Sequence, residues 1–378
     1  MKYCRSCWMP DTRPNLEFGN DGICFACKKD KTVIINYKKR RETLALILGS
    51  TRDAMVKRNC PYHVLVPVSG GKDSIYQCWF MKQLWDDYYK EQEPIKILGV
   101  CVDYGVRTPE GRENLSIITD VLNIPVITYR PPINFHRGLV RKATIEFSDP
   151  DLMSHCLLYA YPLWFALEMD IPLVVYGENP AAEYTGDEGF AGDSMLSLGW
   201  FNRYVVSQCD PLTFAELYGI DPNLMKYYSY PKRFDQNKNK AIFLGFFDKW
   251  DADAHYEIAK DLGFKTKTEG TTGSFRNFVG VDEICTRIHQ WFKVLKFGYG
   301  RATDHACELI RKGELTKIEA RALIVEHDLI PPTEDEIRQF CLFAGIEQEV
   351  FMNFAEAARN TEIWIRNDGK WEINEWLQ

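Results

Sequence analysis

Several absences narrow this sequence before any motif is read. No apolar run in its 378 residues approaches the roughly 18 needed to cross a bilayer. Met1-Lys2-Tyr3-Cys4 opens straight into a cysteine motif rather than a secretory leader, so a cytoplasmic protein is expected. Positive charge is short: 46 lysines and arginines stand against 53 acidic residues, a formal net charge of −7. That balance argues against a large nucleic-acid footprint and leaves room only for a local basic patch. Internal repeats and low-complexity tracts are missing, and with 46% hydrophobic residues the chain can bury more than one core. The Walker phosphate-binding pattern is missing too: Val66 stands where its first glycine would be, and Lys72 is followed by Asp73.

Cysteine, by contrast, is plentiful. Twelve thiols in a chain expected in a reducing compartment are metal ligands, buried small residues or catalytic groups before they are disulfides. Four stand apart, in the pairs Cys4-Arg5-Ser6-Cys7 and Cys24-Phe25-Ala26-Cys27, separated by sixteen residues. That is the spacing of a zinc ribbon, in which each pair lends two thiolates to a tetrahedral Zn2+. A redox pair or an iron–sulfur site is the alternative use of the same thiols. The residues between the pairs are turn-rich, so about thirty residues are expected to need a metal staple to fold.

The chain is organised around Tyr62-His-Val-Leu-Val-Pro-Val-Ser69-Gly70-Gly71-Lys72-Asp73-Ser74. The valine-rich run, the glycine pair, and then Ile75, Trp79, Phe80 and Leu84 near helical spacing predict strand, tight loop, helix. Free backbone N–H groups at a helix N-terminus, with glycines allowing close approach, make a phosphate site. Lys72 adds a point charge, and the serines add donors.

Further strands are predicted at Ile95–Asp103, Ile124–Tyr129 and Ile171–Tyr176, with another possible within Ala241–Trp250. Helices are predicted at Pro109–Asn123, Phe135–Phe147, Met153–Glu168 and Asp253–Leu262. This alternation implies an α/β fold with a parallel sheet covered by helices on both faces. Ligands in such sheets lie beyond the C-terminal strand ends. Ser69–Ser74, Asp103-Tyr104-Gly105 and Gly177-Glu178-Asn179 are therefore expected to converge on one site, although Asp103 could simply terminate its strand. The loop from Ala181 to Trp200 carries Glu183, Asp187, Glu188 and Asp193, which either hold Mg2+ or are solvated; solvation is the preferred expectation. Beyond Gly270 the pattern becomes an all-helical tail with Lys293, Lys296, Arg301, Arg311 and Lys312 along it. The expected division is a zinc ribbon at 1–30, a helical connector at 31–60, a nucleotide domain at 61–270 and a helical C-terminal region at 271–378.

Ser69 to Ser74 resembles the PP-loop, S-G-G-x-D-S, of the ATP pyrophosphatase superfamily, whose members split ATP between the α and β phosphates and adenylate a substrate oxygen. Two further blocks join it: the double C-x-x-C, and the run from Val281-Asp-Glu-Ile-Cys-Thr-Arg-Ile-His289 to Lys296-Phe-Gly-Tyr-Gly-Arg-Ala-Thr-Asp-His305-Ala306. Together they resemble the N-acetyl sugar amidotransferases of bacterial surface-glycan synthesis. The resemblance implies an adenine-nucleotide alpha-hydrolase-like domain that uses ATP and Mg2+ to turn a sugar acetamido group into an acetamidino group for O-antigen or flagellin glycans, releasing AMP and pyrophosphate. It implies ammonia from a separate glutaminase, similar to the glutaminase subunit of imidazole glycerol phosphate synthase. Lys2 after Met1 leaves no N-terminal cysteine for a glutaminase in this chain, and no nucleophile elbow is apparent.

Under that resemblance Ser69, Gly70, Gly71, Lys72 and Ser74 bind the departing pyrophosphate, and Asp73 lies near Mg2+ or the loop backbone. Asp103 to Gly105 contact the nucleoside, and Gly177 to Asn179 border the same site. Lys72, Asp73, Arg301 and His305 are the catalytic candidates, with Asp304 beside them, whereas His289 is left as packing. Two rivals stand against this expectation. A tRNA-modifying, thiolation-type PP-loop enzyme would call on Cys78, Cys101 or Cys156, and the acidic charge weighs against it. A non-catalytic zinc-ribbon scaffold would have little use for an intact Asp73. Neither a membrane nor nucleic acid is an expected partner.

Overall fold

A computed structural model of the chain describes residues 1–32, 34–187, 189–206, 208–267, 271–374 and 377. Glu188 and Gly270, used above, lie outside the described residues. Five strands, β1 (Val64–Val68), β2 (Ile97–Val102), β3 (Val126–Tyr129), β4 (Leu173–Tyr176) and β5 (Lys240–Phe243), form one sheet in the order β3-β2-β1-β4-β5. Every neighbouring pair is parallel. β2 and β4 are buried along their whole length, which is why their sequences are continuous apolar runs rather than alternating ones. Edge strand β3 is only half covered.

Successive side chains of β1 feed two separate cores. Leu65 joins Leu98, Val100 and Val174 beneath the helices Ile133–Phe147 and Leu152–Glu168. Val64, Val66 and Val68 face the other way, onto the helices Lys72–Tyr89 and Ala252–Asp261. The strand order reverses direction at β1 and β4, so a crevice opens at their C-terminal ends.

The N-terminal ribbon packs on the far end of the chain. Its cysteines, Met9 and Leu16 share a core with Tyr299 and Cys307. Trp8 Nε1 donates to the Lys317 carbonyl at 2.7 Å, and Thr12 Oγ1 to the Phe297 carbonyl at 2.6 Å. Between ribbon and sheet, the helix Tyr37–Arg58 reaches the end of β5 through Arg41, whose Nε lies 2.7 Å from Asp248.

The C-terminal region contains the helices Cys285–Phe297, Arg301–Lys312, Lys317–His327, Glu334–Ala344 and Gln348–Ala357. Thr333 and Glu336 close a reciprocal capping box at the fourth of these. The expected all-helical tail needs one correction. An antiparallel hairpin, β6 (Trp364–Asn367) and β7 (Lys370–Ile373), follows the last helix. Its turn is Asp368-Gly369, both at positive φ, the two-residue connection that matches strand twist.

Smaller departures have local causes. The helix predicted to run to Asn123 is regular only to Ser116 and widens into a π turn at Ile117–Val121. β5 stops after four residues because Leu244–Phe247 turns helical. The acidic loop carries a π turn at Ala181–Thr185 and a helical turn at Leu198–Phe201. Two of its described acids are engaged rather than solvated: Asp187 accepts from Arg203 Nε and Tyr204 Oη, each at 2.7 Å, and Asp193 accepts from the Met195 N–H at 2.9 Å.

Candidate active site

The loop after β1 is built to leave donors free. Gly71 is the N-cap of the helix Lys72–Tyr89 and supplies no side-chain cap, so the first N–H groups of that helix face the crevice. Gly70 sits at φ +93°, and a Cβ there would come within 2.3 Å of the Gly111 carbonyl oxygen, so only glycine lets the loop close onto the next crossover. Ser74 Oγ donates to the Gly71 carbonyl at 2.9 Å, and Ser69 Oγ accepts the Gly71 N–H at 3.2 Å. Arg107, just past β2, donates to the Ser69 carbonyl and reaches Cys101 Sγ at 2.8 Å.

Asp73 is the most constrained group in the loop. Lys72 Nζ lies 2.7 Å from its Oδ2, and His255 Nδ1 lies 2.9 Å from its Oδ1. Burial would raise its carboxyl, but Lys72 and His255 outweigh burial and hold it well below the usual carboxylate range. His255 stacks on Tyr76 with centroids 3.7 Å apart, and Tyr76 Oη donates to Asp248.

A cleft of about 580 Å³ runs from this loop to the C-terminal helices. Arg13 from the ribbon, and Lys293, Arg301 and Asp304 from the C-terminal region, line it as well. Asp304 is 2% exposed and receives both Arg13 and Lys293, while Arg301 Nη1 is 4.0 Å away. Three cations around one carboxylate leave a net positive wall. The Nε of Arg301 has no hydrogen-bond partner among the described residues. Burial lowers the Lys293 amine, Asp304 opposes, and the two arginines add to burial, leaving it at about 8.

The sequence-predicted residues fall into two groups. Ser69, Gly71, Lys72, Asp73, Ser74, Asp103, Tyr104, Gly177, Glu178, Arg301 and Asp304 all line the cleft. Asp103 accepts the Gly105 N–H at 2.9 Å and an Arg130 guanidinium N–H. Tyr104 Oη donates to Glu283. Burial pushes the Glu178 carboxyl up, with Arg301 pulling it back and Tyr184 Oη donating to it at 2.9 Å.

Gly70, Gly105, Asn179 and His305 do not line it. Asn179 is consumed by the acidic loop: its amide donates to the Phe190 and Asp193 carbonyls at 3.3 Å and accepts from Ala181 N–H and Trp200 Nε1. His305, one turn into its helix, faces Ser274 Oγ at 3.3 Å and the edge of Phe275, and burial drives its imidazole well below the ordinary range. Only the first turn of the helix Arg301–Lys312 opens on the cleft. Asp151, His155, His289, Gln290, Asp282 and Glu283 also line it and were not read as site residues.

The four paired cysteines are gathered into one cluster that could hold a metal ion. Their Sγ atoms all lie within 4.8 Å of one another, all are buried, and Cys7 and Cys24 are 3.9 Å apart. Zn–S bonds of ~2.3 Å in a tetrahedron place sulfurs about 3.8 Å apart, so the cluster fits Zn2+ with little movement.

Sheet order, strand-end loop and helix N-terminus together define a parallel α/β protein with a glycine loop at the C-terminal end of β1. Residues 270–378 match the family described as LPS biosynthesis protein WbpG-like, C-terminal domain. The match supports the resemblance of the sequence blocks to the N-acetyl sugar amidotransferases. Two solved structures similar to this chain are the U34-tRNA thiolase NcsA from Methanococcus maripaludis with its 4Fe–4S cluster, and the NAD+ synthetase from Burkholderia pseudomallei. The first is 14% identical over 85% of this chain and 88% of its own, with a TM-score of 0.33. The second is 12% identical over 63% and 91%, with a TM-score of 0.28. Superpositions this loose carry no functional argument. No curated protein matches the chain. Among the described residues, no helix is long and apolar enough to cross a membrane.

Proposed function

We propose that this chain is a cytoplasmic ATP-dependent, AMP-forming amidotransferase that converts the acetamido group of an anionic sugar into an acetamidino group for surface-polysaccharide or flagellin glycans. One observation carries the proposal: the uncapped helix N-terminus of the phosphate loop and the Arg13, Lys293 and Arg301 wall open on the same cleft. A triphosphate and an anionic acceptor would meet there, each with groups of opposite charge to receive it.

In this mechanism the N–H groups after Gly71, with Lys72 and the Ser69 and Ser74 hydroxyls, hold the β and γ phosphates and take up the charge of departing pyrophosphate. Asp73 and Asp282 are the hard oxygen donors suited to Mg2+; a Cβ on Gly71 would stand 3.5 Å from Asp282 Oδ2, so both carboxylates border the loop. Bound there, Mg2+ would neutralise phosphate charge. The nucleoside lies along the ends of β1 and β2, near Asp103 and Arg107. Arg301, with its unpartnered Nε, and Lys293 and Arg13 hold the sugar's anionic group, so that the acetamido oxygen faces the α phosphate. That oxygen forms the P–O bond as pyrophosphate leaves. Ammonia then adds to the imidate carbon, and the C–O bond breaks to release AMP.

Ammonia would come from a separate glutaminase or from free ammonium, and Zn2+ would staple the ribbon that carries Arg13. The thiolation-type rival fits the thiols poorly. Burial pushes Cys78 up to about 12, lifts Cys101 to about 11 despite Arg107, and raises Cys156 further still, so none is a ready thiolate. The test is product analysis with ATP, Mg2+, ammonium and a panel of acetamido sugars with and without a carboxylate. Sugar-dependent AMP, with the mass change of O replaced by NH, is the expected outcome; AMP formed only with tRNA would replace the proposal.

A further inference from the structure

Another part of the cleft lining, one helical turn from Lys293 on the helix Cys285–Phe297, has a different chemistry. Asp151 is 5% exposed, and its Oδ1 has no hydrogen-bond partner among the described residues; its Oδ2 faces His155 Nε2 at 3.4 Å. Gln290 Oε1, on the helix Cys285–Phe297, is likewise buried and without a partner among them. Next to Gln290, His289 turns Nδ1 towards Asp149 Oδ1 at 3.4 Å, and its ring meets His155 edge to face at 5.4 Å. Asp149 is itself fixed by the Asp151 N–H at 3.1 Å and Gln208 Nε2 at 3.0 Å. All of these except Asp149 and Gln208 line the cleft.

Two buried acceptor oxygens without donors are costly unless a donor-rich ligand meets them. An anion offers no N–H to either oxygen and is repelled by Asp149 and Asp151, against the attraction of Lys293 one turn along the helix. A small cation with several N–H groups suits both. We infer that Asp151, Gln290, His155 and His289 form the subsite that captures ammonium and removes a proton from it, beside the sugar's acetamido group. This rests on the amidotransferase reading above. Asp151 Oδ1 and Gln290 Oε1 accept two ammonium N–H bonds. With Nδ1–H of His289 donated to Asp149, its Nε2 is the base: an ammonium N–H bond breaks, the proton passes to Nε2, and the electron pair stays on nitrogen. That pair forms the new C–N bond as the C–O bond to AMP breaks. Burial alone would weaken the hold of His289 on a proton, and Asp149 more than restores it. Asp151 and Gln290 bind the nucleophile, and Asp149 is a positioning residue acting through His289.

The experiment compares Asp151→Asn and Gln290→Leu with the parent enzyme, using ammonium chloride as the nitrogen source. Gln290→Leu is the safeguard should Asp151→Asn fold poorly, because it removes an unpaired oxygen. KM for ammonium is expected to rise roughly tenfold or more, the scale of a lost charge-assisted hydrogen bond. Sugar-dependent ATP–pyrophosphate exchange, which needs no ammonia, is expected to change less than about twofold on the same basis. Exchange and amidine formation falling in parallel would overturn the inference. A second probe needs no turnover: thallium(I), a monovalent cation of ammonium-like size, soaked into crystals of the full chain. Density between Asp151 and Gln290 supports the subsite, and its absence there overturns it. If no acetamido sugar supports exchange, the amidotransferase reading fails by itself, and the thallium result alone decides whether a monovalent cation binds here.

Discussion

His255 Nδ1 lies 2.9 Å from Asp73 Oδ1, so a residue of the last sheet-covering helix fixes the carboxylate of the phosphate loop. The ring is held in turn: it stacks on Tyr76, meets the Trp250 edge at 4.5 Å, and its Nε2 faces the Asp251 N–H at 3.5 Å. His255→Phe keeps the stack and removes the hydrogen bond. Activity is expected to fall about 10- to 100-fold, with a higher Mg2+ requirement and a nearly unchanged melting temperature. Kinetics against Mg2+ together with a thermal melt check this; wild-type Mg2+ dependence would show that Lys72 alone orients Asp73.

The ribbon predicts a link between metal and substrate. Cys24→Ser opens the four-thiolate cluster, and the protein should lose bound zinc, as measured by elemental analysis. Because Arg13 belongs to the ribbon and reaches Asp304 in the cleft, binding of the anionic sugar should weaken as well. A stable, metal-free native protein with normal sugar binding would refute the staple.

Asp304 separates cations that otherwise repel. Replacing it with Asn leaves Arg13, Lys293 and Arg301 facing one another in a buried site, a change expected to cost about 3–5 kcal/mol. Phosphate in the buffer should recover part of that loss by taking the place of the carboxylate. Melting curves of Asp304→Asn and the parent, with and without phosphate, read this directly; equal phosphate effects on both would count against an anion site.

Lys293 gives the cleft a pH dependence. Its folded pKa of about 8 lies below the ordinary lysine value of about 10.4, so between those values the unfolded chain binds more protons and stability rises with pH. Anion binding runs the other way, since the cationic amine is lost as pH rises through about 8. Affinity for the anionic sugar should therefore fall above pH 8, and Lys293→Gln should flatten that step. Titration calorimetry across pH 7 to about 9.5 would show a step surviving in the variant if another group were responsible.

The sheet and the phosphate loop were legible because each is contiguous: an apolar strand, a glycine turn and a helix follow one another in Val64–Tyr89. The cysteine cluster was legible from spacing alone. The rest of the cleft is assembled from distant elements. Arg13 and Asp151 carry no local pattern, Asp282 and His289 stood in the quoted Val281–His289 run without a signal that aimed them at the site, and only the crossing of ribbon, sheet and C-terminal helices brings the four together. Arg107 stood just beyond a predicted strand end and could have been found by the rule that located Asp103. His305 was singled out by its neighbours in sequence, but a helix entering the cleft by its first turn presents Arg301 and Asp304 and carries His305 past it. The hairpin had a clear Asp368-Gly369 signal that the helical pattern before it obscured.

The acetamido oxygen is the atom that decides the central claim. If that oxygen attacks the α phosphate, a sugar carrying heavy oxygen in its acetamido carbonyl must deliver the label to AMP, while the product amidine retains none. Mass spectrometry of AMP after turnover with ATP, Mg2+ and ammonium measures this in one step. Labelled AMP matching amidine formation is the predicted result, and unlabelled AMP alongside labelled sugar would contradict it.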